Sequence, residues 1–395
     1  MLYVSQYIAD SSAASLFSFM QVFYSPKLDT SSLLATVVRT TFLAFFSSSY
    51  ASDAALYQAR INYGLALTLA RKAIQSPEQA RTDTTLFSLM LLSALEKFSH
   101  FREEEQPLYS DGHLKGALGL MFLRDDSQFG SKVGITMLLQ LSELVTLNCL
   151  ANESEIPPSL FSLRRRALRS IDPSSSRWRF SEVLLQYAHL QNLIRAGLSH
   201  EQAILQAGFL DGELDRLSQD LRFFIPSNRS LLPPELTKPT KDHCADHNTR
   251  KGWNNIRVVR ILLAEVIREQ CIHLLRTATD NEASIMEKLR RSTHTSSALS
   301  LEICHSVPYS NSQHALTSDL SSVQVASLSF HLYVTKVVGV ISDHMRQSIL
   351  ERMQALQQGQ LPGHQRLLAE LQQQTHRRSN VWEMWLKVGK EDFSV

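Results

Sequence analysis

The sequence predicts an all-α protein, a large array of packed amphipathic helices arranged as αα-hairpins, with no significant sheet. Three observations predict it. Apolar residues recur at helical spacing along nearly the whole chain, and no convincing period-two alternation interrupts them. Glycine and proline are scarce, 14 and 12 in 395 residues, too few for the many tight turns of a sheet protein. Helix-start signals recur between the apolar runs, each a small polar residue followed three positions later by Glu or Gln. With 44% hydrophobic and 20% charged residues, the chain carries enough apolar material to bury a substantial core.

Residues 1–52 are expected to form an N-terminal helical segment. The stretch from Leu33 to Phe46 reads as the most apolar of the chain, yet it is too short to span a bilayer and contains Arg39. From Leu56 the stripe Tyr57, Ile61, Leu65, Leu69 and Ile74 predicts a core-facing helix, with Arg60, Arg71 and Lys72 left to solvent. Ser76-Pro-Glu-Gln79 follows, a capping box with proline at the first helical position. Asp83 is expected to cap the next helix, whose core face is Leu86, Met90, Leu91, Leu95 and Phe98.

A polar loop from Arg102 to Gln106 precedes a helix opened by Asp111 and carrying Leu114, Leu118 and Met121. Val133 to Leu150 is amphipathic, Pro157 and Pro158 end it, and a short helix with Leu160, Leu163 and Leu168 comes next. Asp172-Pro173-Ser-Ser-Ser176 marks a turn before a helix from Trp178 to Ile194. Ser199-His-Glu-Gln202 is a second capping box, opening a helix that runs towards Phe223.

Prolines 226, 233, 234 and 239 lie among polar residues, so 226–251 is expected to be a linker or loop. It divides a first helical part, 53–225, from a second, 252–395. Trp253 to Leu275 is the longest uninterrupted helical pattern, and Thr279-Asp-Asn-Glu282 reads as a third capping box. Ser292 to Ser322 is rich in Ser and Thr and is expected to be weakly structured. Val323 to Leu350 returns to helical spacing, and Val381 to Val388 is an aromatic amphipathic piece.

Charge narrows the function classes. The 40 basic and 38 acidic side chains leave a net charge of +2, without the basic excess of a domain that grips nucleic acid by its own surface. Cys149, Cys244, Cys271 and Cys304 are far apart and form no Cys-x-x-Cys pair, which reads as reduced intracellular thiols. The first residues lack a basic run and carry Asp10, a poor signal peptide. The expectation is a soluble protein with no membrane contact.

Three groupings invite a chemical reading. His243, Cys244, Asp246 and His247 fall together in the linker, but the Cys-x-x-Cys half usual in such zinc sites is missing, so a solvated loop and no metal are expected. Cys304 beside His305, and Cys271 near His273, are neighbours in sequence, whereas catalytic partners converge through the fold; structural thiols are expected there. Arg164, Arg165, Arg166 and Arg169 read either as a nuclear-import run or phosphate contact, or as the outer face of a helix, the commoner origin of such a run. No glycine-rich phosphate loop, His-Glu-x-x-His segment or Gly-x-Ser-x-Gly turn is present, so neither catalysis nor a cofactor is expected.

One ordered set of short segments goes further. It begins with Tyr57-Gln-Ala59-Arg60, Tyr63-Gly-Leu-Ala-Leu67, Ser76-Pro77, Asp83-Thr-Thr-Leu86 and Leu95-Glu96. His113-Leu-Lys-Gly116-Ala117-Leu118 with Leu123-Arg124, then Leu147-Asn-Cys-Leu150 with Ile156-Pro157-Pro158, continue it. Trp253-Asn-Asn-Ile-Arg257 with Arg260-Ile-Leu-Leu263, and Ile303-Cys-His-Ser-Val307-Pro308, complete it. In this order, from about Asp53 to Glu351, the set resembles the regulatory domain of fungal zinc-cluster transcription factors. The resemblance implies an all-α regulatory body in the nucleus, protein partners in transcription, a homo- or heterodimer, and an apolar small-molecule effector. It also implies control of metabolic or secondary-metabolite genes.

The zinc cluster of such factors needs six closely spaced cysteines, and here there are four, the first at Cys149. No direct specific DNA contact through that module is therefore expected of this chain. Beside this reading stands a helical ligand-sensing or scaffold protein with no role in transcription.

Overall fold

Local chemistry sets where each helix begins. Ser32 accepts a hydrogen bond from the Ala35 amide and opens α1, Leu33–Tyr50. Ser52 does the same for α2, Asp53–Gln75, and Ser76 for the single turn α3, Pro77–Ala80, with proline at its first position as the capping box predicts. The computed structural model describes residues 22–23, 29, 31–96, 112–223, 247–277, 281–307, 322–358, 360, 362–373 and 381–388. Among these residues are fifteen α-helices and one 3-10 turn, and no strand. The protein is all-α. Phe98, the loop 102–106, Asp111, the prolines of 226–239 and Thr279 lie outside the described residues.

The chain divides into two compact units. The first holds residues 1–173, 360–367 and 382–392; the second holds 174–359, 368–381 and 393–395. The division falls beside Pro173, in the turn read at Asp172-Pro173, and the described residues on both sides of the Pro-rich stretch belong to the second unit.

In the first unit α4, Asp83–Glu96, is the central element and packs on α1, α2, α3, α5 (Gly112–Leu123) and α6 (Lys132–Ala151). Leu86, Phe87, Leu89, Met90, Leu91, Leu92 and Leu95 are all buried, so this helix is apolar around most of its circumference and has no solvent face to leave polar. Its cap is Thr82 and not Asp83: the Thr82 hydroxyl accepts from the Thr85 amide, and the Asp83 carboxylate pairs with Arg124. Among the described residues α6, not the stretch from Leu33 to Phe46, is long and apolar enough to cross a membrane. It is a core helix here, 78% buried.

The 3-10 turn Asp126–Gly130 packs against α6 and α7, Pro158–Ala167. Gly134 is required there, because a Cβ on it would sit 1.9 Å from the Gln128 carbonyl oxygen. On α7, Leu160 and Leu163 are buried as expected, with Ala167 beside them, but Leu168, just past the helix end, is exposed and Ile171 beyond it is buried.

The largest departure from the sequence pattern is the orientation of α2. Its inward face is Ala55, Ala59, Ala66, Ala70 and Ala73, while Tyr57, Ile61, Leu65 and Ile74 are exposed. Both sets have helical spacing. The alanine set wins the interior because small side chains let the α2 backbone approach α1, its main packing neighbour, across a two-residue connection.

The second unit is built around α10, His247–Arg276, the longest described helix, flanked by α8 (Ser176–Arg195), α9 (His200–Phe223), α11 (Glu282–Ser306) and α12 (Ser322–Val337). Ser175 caps α8, and Ser199 accepts from the Gln202 amide to open α9 as its capping box predicts. Helix α10 starts at His247, so the end of the expected linker is already helical. The residue before α11 is Asn281, which makes no side-chain cap bond.

Helix α11 also runs straight through Ser292 to Ser306, a stretch expected to be weakly structured. Ser292, Ser296, Ser300 and Ser306 are buried on it; the hydroxyls of Ser292, Ser300 and Ser306 return to the backbone carbonyls of Leu289, Ser296 and Ile303, and that of Ser296 accepts from the Val340 amide. The apolar run after Val323 is broken into α12 and α13, Asp343–Gln357, by the cap Ser342. Helices α14, Pro362–Gln373, and α15, Val381–Val388, complete the chain; α15 buries Val381, Trp382, Met384 and Trp385.

Candidate functional site

Some of the side chains that tie helix to helix lie in the short segments that carry the resemblance, and others, such as Arg179 with Asp220 and His200 with Gln270, lie outside them. In the first unit Tyr63 of α2, Glu96 at the end of α4 and His113 at the start of α5 converge. The Tyr63 hydroxyl donates to Glu96 Oε1 at 2.8 Å, and His113 Nε2 lies 3.1 Å from the same oxygen. One half-buried carboxylate at the end of α4 thus ties the start of α5 to the middle of α2. Asp83 and Arg124 pair across α4 and the end of α5, and Arg124 Nε also donates to the Arg81 carbonyl at 2.9 Å.

In the second unit Asn254 Nδ2 donates to Ser306 Oγ at 2.8 Å while Arg257 Nη1 donates to Asn254 Oδ1 at 2.9 Å. Arg257 Nε reaches Glu302 at 2.9 Å, with its guanidinium 5.9 Å from the Trp253 ring centroid. Nothing in sequence spacing signalled these clusters, since their members lie tens of residues apart. Chemically they orient: the Glu96 carboxylate is shared by donors from α2 and α5, and the Asn254 amide by Arg257 and Ser306, in geometry suited to fixing positions.

The two cysteine pairs do not become nucleophile and base. Cys271 is buried with Ile204, Leu274 and Ile285, and that burial holds its thiol above the ordinary range. Burial pushes Cys304 up to about 11, against the weaker pull of Arg352, so it stays protonated at neutral pH. His273 stacks flat on His200, ring centroids 5.2 Å apart, and His200 Nδ1 pairs with Gln270 at 2.6 Å. His305 is exposed. Of the linker quartet, His243, Cys244 and Asp246 lie outside the described residues and His247 opens α10. Among the described residues no group of three His, Cys, Asp or Glu is placed to hold a metal ion.

The arginine run divides. Arg165 and Arg169 are exposed, Arg164 is 3% exposed, and Arg166 is a staple. Arg166 bonds Asp126 at 2.7 Å and the carbonyls of Phe122 and Arg124 at 3.1 and 2.7 Å, lying over the rings of Phe122 and Phe129. The run therefore presents two of its four cations outward and uses Arg166 to fasten α7 to the 3-10 turn.

Among the described residues, one surface feature that the interior does not account for is the outer face of α2. Tyr57, Ile61 and Leu65 are 64, 52 and 49% exposed, one turn apart along a single ridge. Arg60 and Arg71 flank it on one side and Lys72 continues it, giving the apolar ridge a basic border. A side chain at Gly64, beside Ile61 and Leu65, would meet nothing within 4 Å. Comparisons of the chain with protein-family profiles, with curated proteins and with solved structures find no match.

Proposed function

We propose that the chain is a transcriptional regulator of the fungal zinc-cluster type, acting in the nucleus through its helical body as a docking platform for protein partners. The observation that carries this reading is the outward ridge of α2, large apolar residues facing solvent while alanines fill the interior. Its basic border suits a partner helix with an apolar stripe and an acidic rim. The resemblance supplies the transcriptional setting, and it gains support from the segments that carry it being one another's packing partners at Tyr63–Glu96–His113, Asp83–Arg124 and Asn254–Ser306. The four cysteines of this chain do not make a zinc cluster, so the reading concerns its helical body alone.

Deletion of the gene in its host, followed by transcript profiling, is expected to change a coherent set of metabolic genes, and a fluorescently tagged chain is expected in the nucleus. Unchanged transcripts together with steady nuclear exclusion would favour the scaffold reading instead.

A further inference from the structure

The exposed face of α9 is built differently from that of α2, and it complements itself. Ala203, Ile204, Ala207, Leu210, Leu214 and Leu217 face inward, on the side that packs against α8 and α10. Outward stand Leu205, 74% exposed, and Phe209, 64% exposed, one turn apart. Between and beyond them lie Gly208 and Gly212, and a Cβ on either would meet nothing within 4 Å. The fold itself therefore makes no use of the missing side chains, although glycine weakens a helix interior relative to alanine. Glu201 stands at one end of this face and Arg216, paired within the helix to Glu213, at the other.

We infer that the protein self-associates through this face, two copies of α9 crossing antiparallel about a twofold axis between Gly208 and Phe209. The sequence is complementary about that point. Leu205 is as far from it on one side as Gly212 is on the other, so the leucine of each copy enters the notch at the partner copy's second glycine. Phe209 meets Gly208 in the same way. Glu201 and Arg216 are also equidistant, so the two ends of the contact each bring a carboxylate to a guanidinium. An isologous contact requires this kind of matching of a surface with its own reverse, and a glycine at a crossing point lets two helix backbones approach closely. A contact one helix wide is smaller than the ~800 Å² per partner of a standard interface, so the dimer is reversible, with a dissociation constant on the order of micromolar. This inference does not rest on the transcriptional reading.

Sedimentation equilibrium of the full chain tests it. The wild type is expected to show a monomer–dimer equilibrium, and Phe209→Glu to weaken it at least about tenfold with helix content unchanged by circular dichroism. Glu201→Arg and Arg216→Glu alone each place like charges across the contact and are expected to weaken it by about threefold or more. Mixing these two variants restores opposite charges at both ends, so the mixture is expected to associate as tightly as the wild type. A wild type that stays monomeric at concentrations on the order of 100 µM overturns the inference. So does a dimer indifferent to Phe209→Glu, or a mixture no tighter than either single variant.

Discussion

Lys336 is buried on α12, where its Nζ donates to the carbonyls of Leu371 and Gln372 at 3.0 and 2.8 Å, while Arg346 donates to the Lys336 backbone carbonyl. Burial, reinforced by the Arg346 charge, lowers the ammonium from 10.5 to about 8. In that window the unfolded chain holds more protons than the folded one, so stability gains from Lys336 as pH rises from 8 to 10.5 and is indifferent to it below. Urea midpoints of wild type and Lys336→Met are expected to diverge in favour of the wild type across that range; a constant difference would contradict the assignment. Asn254 makes a second test, since it bridges Arg257 and Ser306 in the buried interior of the second unit. Asn254→Leu is expected to cost about 2–3 kcal/mol and Ser306→Ala about 1 kcal/mol. In a chemical-denaturation cycle the two are expected to be non-additive, and simple additivity would dissolve the proposed bridge. Such residue-level pairings were hidden in the sequence. The cap at Thr82 is the instructive case: Asp83 has the right chemistry for a cap, but Arg124, from another helix, takes its carboxylate.

At the scale of elements, the sequence located most helices and misjudged what some of them face. Capping boxes at Ser76 and Ser199 were legible because the bonds they make are local. The serines of α11 were misread because hydroxyls that bond their own backbone can be buried in a helix at little cost, which composition does not reveal. On α2 two stripes of helical spacing compete, and hydrophobicity favours the larger side chains, whereas close packing on α1 favours the alanines. Ala66→Leu is therefore expected to cost about 1–3 kcal/mol by overpacking. Ile61→Ser and Leu65→Ser are each expected to shift stability by no more than about 0.5 kcal/mol. Thermal melts that rank these substitutions in the reverse order would restore the orientation expected from the pattern.

For the whole molecule, the all-α class followed from periodicity and from few glycines and prolines, both of which are global properties. The partition into units was less legible, because proline content marks where a helix stops and not where packing between groups of helices ends; the units part beside Pro173. What the molecule displays outward, the ridge of α2 and the glycine-notched face of α9, was not legible, since exposure depends on which helices pack together. The reading of the chain as a nuclear docking body is tested most directly by chromatin immunoprecipitation of the tagged full chain, wild type beside a Tyr57→Glu, Ile61→Glu double variant. The expected result is promoter occupancy by the wild type, lost in a variant that melts at the same temperature. A wild type that occupies no promoter, or a variant that occupies promoters equally well, would contradict it.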